Sequence, residues 1–235
     1  MKESAKSLRK VAIFDIDGTI FRSSLLIELV EVLIELELFP VSVRAEYEKE
    51  KVRWLDRKGD YQSYIMAVVG VFMRNIKGIS CDDFMRAGKF VVARYRHRTY
   101  RFTEELIIDL KKKGYFILAI SHSPKGILDL FCKEVGFDKV YGKFYEVDQR
   151  GIFTGEIIDK ELIENKANIL RRAIEKEGLT LEGSVGVGDT ESDIAFLELV
   201  ERPICFNPNM KLYQHAKKVG FEVIVERKDV VYELK

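Results

Sequence analysis

Cysteine is scarce in this 235-residue chain: Cys81, Cys132 and Cys205 are the only three, far apart and odd in number. That pattern offers neither a disulfide framework nor the paired spacing of a thiolate metal site, so reduced thiols of a cytoplasmic protein are expected. An excess of either charge is also missing. Thirty-nine Lys and Arg stand against 38 Asp and Glu, a net charge of +1, which removes any global pull toward nucleic acid or an anionic membrane. No long hydrophobic run is present. The most apolar stretch, 25–39, is broken by Glu28, Glu31, Glu35 and Glu37 and is too short and too charged to span a bilayer. The first ten residues lack the apolar segment of a signal peptide. The expectation is a soluble protein with no membrane and no nucleic-acid partner. What is abundant is apolar residue content, 47%, enough for one large domain or a core with a smaller module.

The most informative stretch is Lys10-Val11-Ala12-Ile13-Phe14-Asp15-Ile16-Asp17-Gly18-Thr19-Ile20. Val11 to Phe14 reads as a short buried strand. Asp15 and Asp17 follow where the apolar run ends, the position at which open α/β sheets place ligands. Residues two apart in a strand point to one side, so both carboxylates can face one site. Gly18 supplies a backbone able to turn sharply and approach a ligand closely. The competing reading is an ordinary capped turn, because Asp and Gly are turn residues.

Beyond Ile20 the pattern is helical for about eighty residues. Segments 25–39, 41–57, 61–76 and 80–100 each carry helical periodicity, punctuated by Pro40, Gly59 and Gly78. Ser80 with Asp82 and Asp83 forms an N-terminal capping signal. An all-helical insert over 22–101 is therefore predicted, and its place after the acidic loop is that of a lid. Strand and helix then alternate: helix 104–113, strand 115–120, a helix to about 135, strand 138–141, a hairpin over 144–157 turning at Asp148-Gln149-Arg150-Gly151, helix 160–177, strand 184–187, a helix after Asp193, strand 203–206, helix 211–219 and a last strand at 221–225. Such alternation argues a mostly parallel sheet with helices on both faces.

Four separated segments place polar residues at strand ends or at a helix start: Asp15/Asp17, Ser121 after Leu118-Ala119-Ile120, Lys166, and Gly188-Asp189-Thr190-Glu191-Ser192-Asp193. Their order resembles the haloacid dehalogenase superfamily of phosphohydrolases. The helical insert after the first motif resembles the phosphoserine-phosphatase-like branch. The resemblance implies an α/β fold, a doubly wound, mostly parallel, Rossmann-like sheet formed by 1–21 and 102–235, with 22–101 as an inserted all-helical cap domain. It implies Asp15 as a nucleophile that takes the phosphoryl group, and Asp17 as the acid that protonates the leaving oxygen and then activates water. It further implies Mg²⁺ held by Asp15, the backbone carbonyl of Asp17, and Asp189, with Asp193 supporting the metal site. Ser121, with His122 beside it, would bind phosphate oxygens at a helix start, and Lys166 would supply a point charge to the nucleophile and the transferring group. Read alone, Ser121 is also a plain N-cap and Lys166 a solvated helix lysine.

The implied activity is Mg²⁺-dependent hydrolysis of a small phosphorylated organic substrate through a phospho-aspartate. A phosphotransferase using the same intermediate and a silent phosphate-binding module are the alternatives; a homodimer is admissible. The sequence departs from the phosphoserine-specific pattern in two places. Phe21-Arg22-Ser23-Ser24-Leu25 stands where a substrate-binding Glu is expected, the first Glu being Glu28, and His122-Ser123-Pro124 replaces a glycine pair after Ser121. The expectation drawn from this is that phosphoserine is not the preferred substrate. Residues 22–101 hold 15 basic and 11 acidic residues, a net +4, which suits an anionic substrate; Arg22, Arg53, Trp54 and Arg57 are the substrate-contact candidates. The basic and aromatic run 95–101 reads as a helix end or hinge rather than a nucleic-acid patch, and His97 and His215 as surface groups.

Overall fold

The computed structural model describes residues 8–159 and 165–234. At its centre lies strand β1, Arg9–Phe14, in which Val11 to Phe14 are fully buried. Its alternation decides the layering, because successive side chains point to opposite faces. Ala12 and Phe14 join one apolar core, and Val11 and Ile13 join another on the opposite face.

The insert after β1 holds four helices: α1, Leu25–Glu35; α2, Arg44–Leu55, entered through a 3₁₀ turn at Val41–Val43; α3, Tyr61–Asn75; and α4, Cys81–Tyr95. Ser24, Asp60 and Ser80 cap α1, α3 and α4, each side chain accepting a first-turn backbone N–H. The insert 22–101 contains no strand; single bridges join Phe21 to Thr99 and Ser80 to Ile152. Apolar residues of these helices, Leu29, Leu33, Phe72 and Val91 among them, share one core with the Ala12/Phe14 face of the sheet. Fully burying each such side chain stabilises by about 1.5–3 kcal/mol.

After α5, Arg101–Lys112, the sheet continues with β2, Phe116–Pro124; α6, Lys125–Val135; β3, Lys139–Val147; β4, Phe153–Ile158; α7, Lys166–Glu177; β5, Leu179–Gly188; a 3₁₀ turn, Glu191–Asp193; α8, Ile194–Leu197; β6, Arg202–Phe206; α9, Met210–Val219; β7, Glu222–Arg227; and β8, Val230–Leu234. The strand order is β4-β3-β2-β1-β5-β6-β7-β8. Neighbours pair in parallel except at the two edges, β3 with β4 and β7 with β8. Residues of α7, α8 and α9 cover the Val11/Ile13 face. The fold is thus the mostly parallel, Rossmann-like α/β sheet with an all-helical insert expected from the sequence.

Three details differ. The expected strand 138–141 and first hairpin arm are one strand, β3, pairing in parallel with β2 and then antiparallel with β4. Gly142 is not a turn between them: a Cβ there would lie 2.3 Å from Leu128 Cδ1 and 2.9 Å from the Ser123 carbonyl oxygen, so glycine is required by close packing. Strand β5 starts at Leu179, five residues early, with an irregular register against Lys10–Ala12. Strand β8 was not expected; it is an edge strand with Val231 packed inward and its other residues exposed, so little burial pattern marks it. The start of the expected helix 160–177 lies outside the described residues.

Candidate active site

Strand β1 delivers Asp15 to the carboxyl end of the sheet, between β2 and β5, and the Asp15 N–H donates to the Val187 carbonyl at 2.9 Å. Asp15 is 5% exposed. Lys166, the first residue of α7, on the helix that covers the Val11/Ile13 face, is 2% exposed. Its Nζ donates to Asp15 Oδ1 at 2.6 Å and to Asp193 Oδ1 at 2.5 Å. The solvated-lysine alternative is therefore excluded. Burial alone would depress the ammonium, but Asp15 and Asp193 outweigh it and hold Lys166 above its usual range.

Asp193 is fully buried and organises the acidic loop after β5. Its Oδ2 accepts from the Asp189 and Thr190 N–H groups, both at 3.0 Å, while Oδ1 holds Lys166. Thr190 caps the 3₁₀ turn reciprocally with Asp193. Asp189 accepts from Thr19 Oγ1 at 3.3 Å. Gly18 has a φ of +84°, and a Cβ there would lie 2.2 Å from Asp189 Oδ2. Glycine here serves the close approach of the two acidic loops, not the turn alone.

Carboxylate oxygens of Asp15, Asp189 and Asp193 lie within 4.8 Å of one another. Burial, offset in part by Lys166 and reinforced by Asp193 and Asp17, pushes Asp15 up to about 7. Burial, then the charges of Asp15 and Asp193, pushes Asp189 well above the carboxylate range. Three crowded acids against one ammonium form a buried, oxygen-only donor set with surplus negative charge. Such a set fits a hard divalent cation such as Mg²⁺. Asp193 joins the cluster expected from Asp15 and Asp189, although its lone pairs are largely committed to Lys166 and the loop.

Asp17 is held differently. Its Oδ1 accepts from the Leu25 N–H at the start of α1 at 2.6 Å, and its Oδ2 from Ser121 Oγ at 2.8 Å and Ser123 Oγ at 2.7 Å. Ser121, expected as a phosphate ligand, thus rests on Asp17 and also accepts the Ser123 N–H at 3.0 Å. Sequence reasoning passed over Ser123; the strand period, which turns Ser121 and Ser123 the same way, was the available signal.

A cavity of about 320 Å³ opens on these groups, lined by Asp15, Asp17, Ser121, His122, Lys166 and Asp189 together with Tyr61 of α3. A second cleft, about 590 Å³, shares Tyr61 and Asp189 and is lined by Arg22, Glu28 and Trp54. Arg22 also lies over the Tyr100 ring, 5.3 Å from its centroid. Arg53 and Arg57 line neither space. The helical turn that points Trp54 at Tyr61 and Tyr64 leaves Arg53 exposed and 3.8 Å from Glu50, and Arg57 exposed just past the helix end.

Among the described residues no helix is long and apolar enough to cross a membrane. The chain resembles a phosphoserine phosphatase of Archaeoglobus fulgidus, 32% identical over 107 residues, covering 44% of this chain and 30% of that protein. It also resembles a phosphoserine phosphatase of Methanocaldococcus jannaschii, 28% identical over 128 residues, covering 54% of this chain and 58% of that protein. The chain thus matches less than two thirds of the length of these relatives. A solved substrate-bound phosphoserine phosphatase complex shares the fold, with a TM-score of 0.64, 22% identity and 94% of each chain covered. These comparisons favour a phosphoserine-phosphatase-like protein. Glu28, the first Glu after the acidic loop, lines the second cleft together with Asp189. A model of the haloacid dehalogenase-like hydrolase family matches residues 12–198, and with its acidic cluster, buried lysine and parallel sheet the chain belongs to that family.

Proposed function

We propose that this protein is a Mg²⁺-dependent phosphomonoesterase working through a phospho-aspartate on Asp15, with 22–101 as its cap domain and 1–21 plus 102–235 as its catalytic core. The observation that carries the reading is the buried Lys166 ammonium bridging Asp15 and Asp193 within a cluster of acids. Lys166 covers Oδ1 of Asp15, leaving Oδ2 as the attacking atom. That oxygen forms a bond to phosphorus while the ester P–O bond breaks, and Asp17, when protonated, gives its proton to the departing alkoxide. Water then attacks the phospho-aspartate, giving its proton to Asp17 and releasing inorganic phosphate and the Asp15 carboxylate.

Ser121 links substrate binding to this proton transfer. Phosphate oxygens are stronger claimants for its hydroxyl than a carboxylate already holding two other donors. When Ser121 turns to phosphate, Asp17 Oδ2 regains a free lone pair for its proton, and Ser123 keeps the carboxyl in place. Asp15, the Asp17 carbonyl and Asp189 would hold Mg²⁺, with Asp193 in support. The ion supplies charge neutralisation at the phosphoryl oxygens when bound. His122 belongs to the phosphate end of the cavity. Phosphoserine is the first substrate to test; Glu28, paired with Arg98 at 3.6 Å, and Arg22 line the neighbouring cleft that would take its amino-acid end.

The experiment is phosphate release by the full chain from phosphoserine, sugar phosphates, nucleotides and phospholipid head-group phosphates, with Mg²⁺ or with EDTA. Mg²⁺-dependent release that vanishes in Asp15→Asn is expected, since an amide does not accept the phosphoryl group. Phosphate recovered on an acceptor alcohol instead of free would indicate a phosphotransferase. No turnover across the whole panel would favour a silent binding module.

A further inference from the structure

We propose that Tyr61 is a further catalytic residue, its hydroxyl donating a hydrogen bond to a non-bridging oxygen of the phosphoryl group during transfer. This rests on the phosphatase reading above and adds to it a group contributed by the helical insert.

Tyr61 is the first residue of α3, set by the Asp60 cap whose side chain accepts the Ser63 N–H at 2.7 Å. It lines the catalytic cavity with Asp15, Asp17, Lys166 and Asp189, and also lines the neighbouring cleft, so it borders both spaces. The ring is fixed from behind. Trp54 packs edge-on against it at 5.2 Å between centroids, and Tyr64 does the same at 6.2 Å. Packing of this kind holds a side chain in one orientation. Among the described residues, no hydrogen bond engages the Tyr61 hydroxyl. Burial, followed by the charges of Asp17, Asp189 and Asp15, holds the phenol above its usual range, so it keeps its proton and remains a donor.

A phenol donor lining the same cavity as the reacting carboxylates has one complementary ligand, an oxyanion placed between it and Asp15. The transferring phosphoryl group is that oxyanion. A donor positioned there before reaction stabilises charge without reorganising, which is the most effective electrostatic arrangement. The remaining α3 side chains in the cavity are Gln62, Ile65, Met66 and Val69; three of them are apolar, so the helix offers few other donors.

The test compares wild type, Tyr61→Phe and Tyr64→Phe. Phenylalanine retains the ring packing and removes only the hydroxyl; Tyr64 belongs to the same aromatic group but lies outside the catalytic cavity. Turnover is measured with phosphoserine, p-nitrophenyl phosphate and glycerol phosphate, and orthophosphate binding by calorimetry with Mg²⁺ present. Tyr61→Phe is expected to lower kcat/KM by about tenfold to a hundredfold, by one factor on all three substrates, and to weaken orthophosphate binding. Tyr64→Phe, in the neighbouring cleft but outside the catalytic cavity, should leave orthophosphate binding within about twofold, since it removes no contact to the phosphoryl group. Loss on one substrate alone, with orthophosphate binding unchanged, would overturn the proposal by making Tyr61 a leaving-group contact. Unchanged kinetics and binding in Tyr61→Phe would also overturn it. A wild type that binds orthophosphate without turnover still tests the hydroxyl through binding, and equal affinities would overturn the assignment. A wild type that neither turns over nor binds orthophosphate would overturn the phosphatase reading itself, and this proposal with it.

Discussion

Replacing Lys166 with methionine isolates the charge that holds the site together. Methionine keeps most of the apolar stem and removes only the ammonium. That ammonium sits 2.6 Å from Asp15 and 2.5 Å from Asp193 and is 2% exposed, so solvent screening gives no relief. Removing one member of a buried ion pair costs about 3–5 kcal/mol because the partner charge is left uncompensated. For a chain of this size about 1 kcal/mol moves Tm by roughly 2–4 °C, so a fall of about 6–20 °C is expected in EDTA near pH 8. The pH dependence has a definite sign. Asp15 already titrates at about 7 in the fold, raised by burial, and losing Lys166 raises it further. The unfolded chain sheds this proton near pH 4, so the variant grows less stable as pH rises toward the folded value. Thermal melts should therefore show a smaller gap from wild type near pH 5 than near pH 8. Asp193→Asn, singly and combined with Lys166→Met, should reveal a coupling of about 1–3 kcal/mol. A loss under about 1 kcal/mol, or a gap independent of pH, would refute the view that this ammonium compensates a buried acidic cluster.

Three further outcomes follow from the same geometry. Gly18→Ala places a Cβ 2.2 Å from Asp189 Oδ2 in a left-handed conformation; Mg²⁺ affinity by calorimetric titration should fall about tenfold or more, and unchanged affinity would remove Asp189 from the metal set. Ser123→Ala deletes the 2.7 Å hydrogen bond to Asp17; kcat should fall about tenfold while orthophosphate affinity stays within about twofold, and a loss confined to affinity would place Ser123 on the phosphate instead. Mg²⁺ competes with protons for Asp15 and Asp189, both raised above the carboxylate range, so saturating Mg²⁺ should raise Tm more near pH 8 than near pH 5. Equal shifts at the two values would argue against binding at these acids.

Much of the molecule follows from local pattern. The apolar run 11–14, the glycines and prolines that punctuate 22–101, and the strand–helix alternation after residue 101 determine the α/β class and the helical insert, because period and turn chemistry act over a few residues. Asp15, Asp17, Lys166, Asp189 and Asp193 were legible for a related reason: they stand at strand ends and helix starts, where an open sheet gathers its ligands; Ser121 was read there too, although β2 runs on to Pro124. Contacts between distant segments were decided only by tertiary structure. No local signal separates Arg53 and Arg57 from Trp54, since which face of α2 is covered depends on where α3 lies. The joining of 138–141 to the hairpin arm turns on Gly142 meeting Leu128 and Ser123, a packing demand that reads in one dimension as a turn. Ser121 and Ser123 converge on Asp17 from more than one hundred residues away, and Tyr61 arrives from an insert whose periodicity marks it as ordinary helix. Composition and spacing determine which acids and bases are available; only the closed packing of sheet and insert decides which oxygen each one faces.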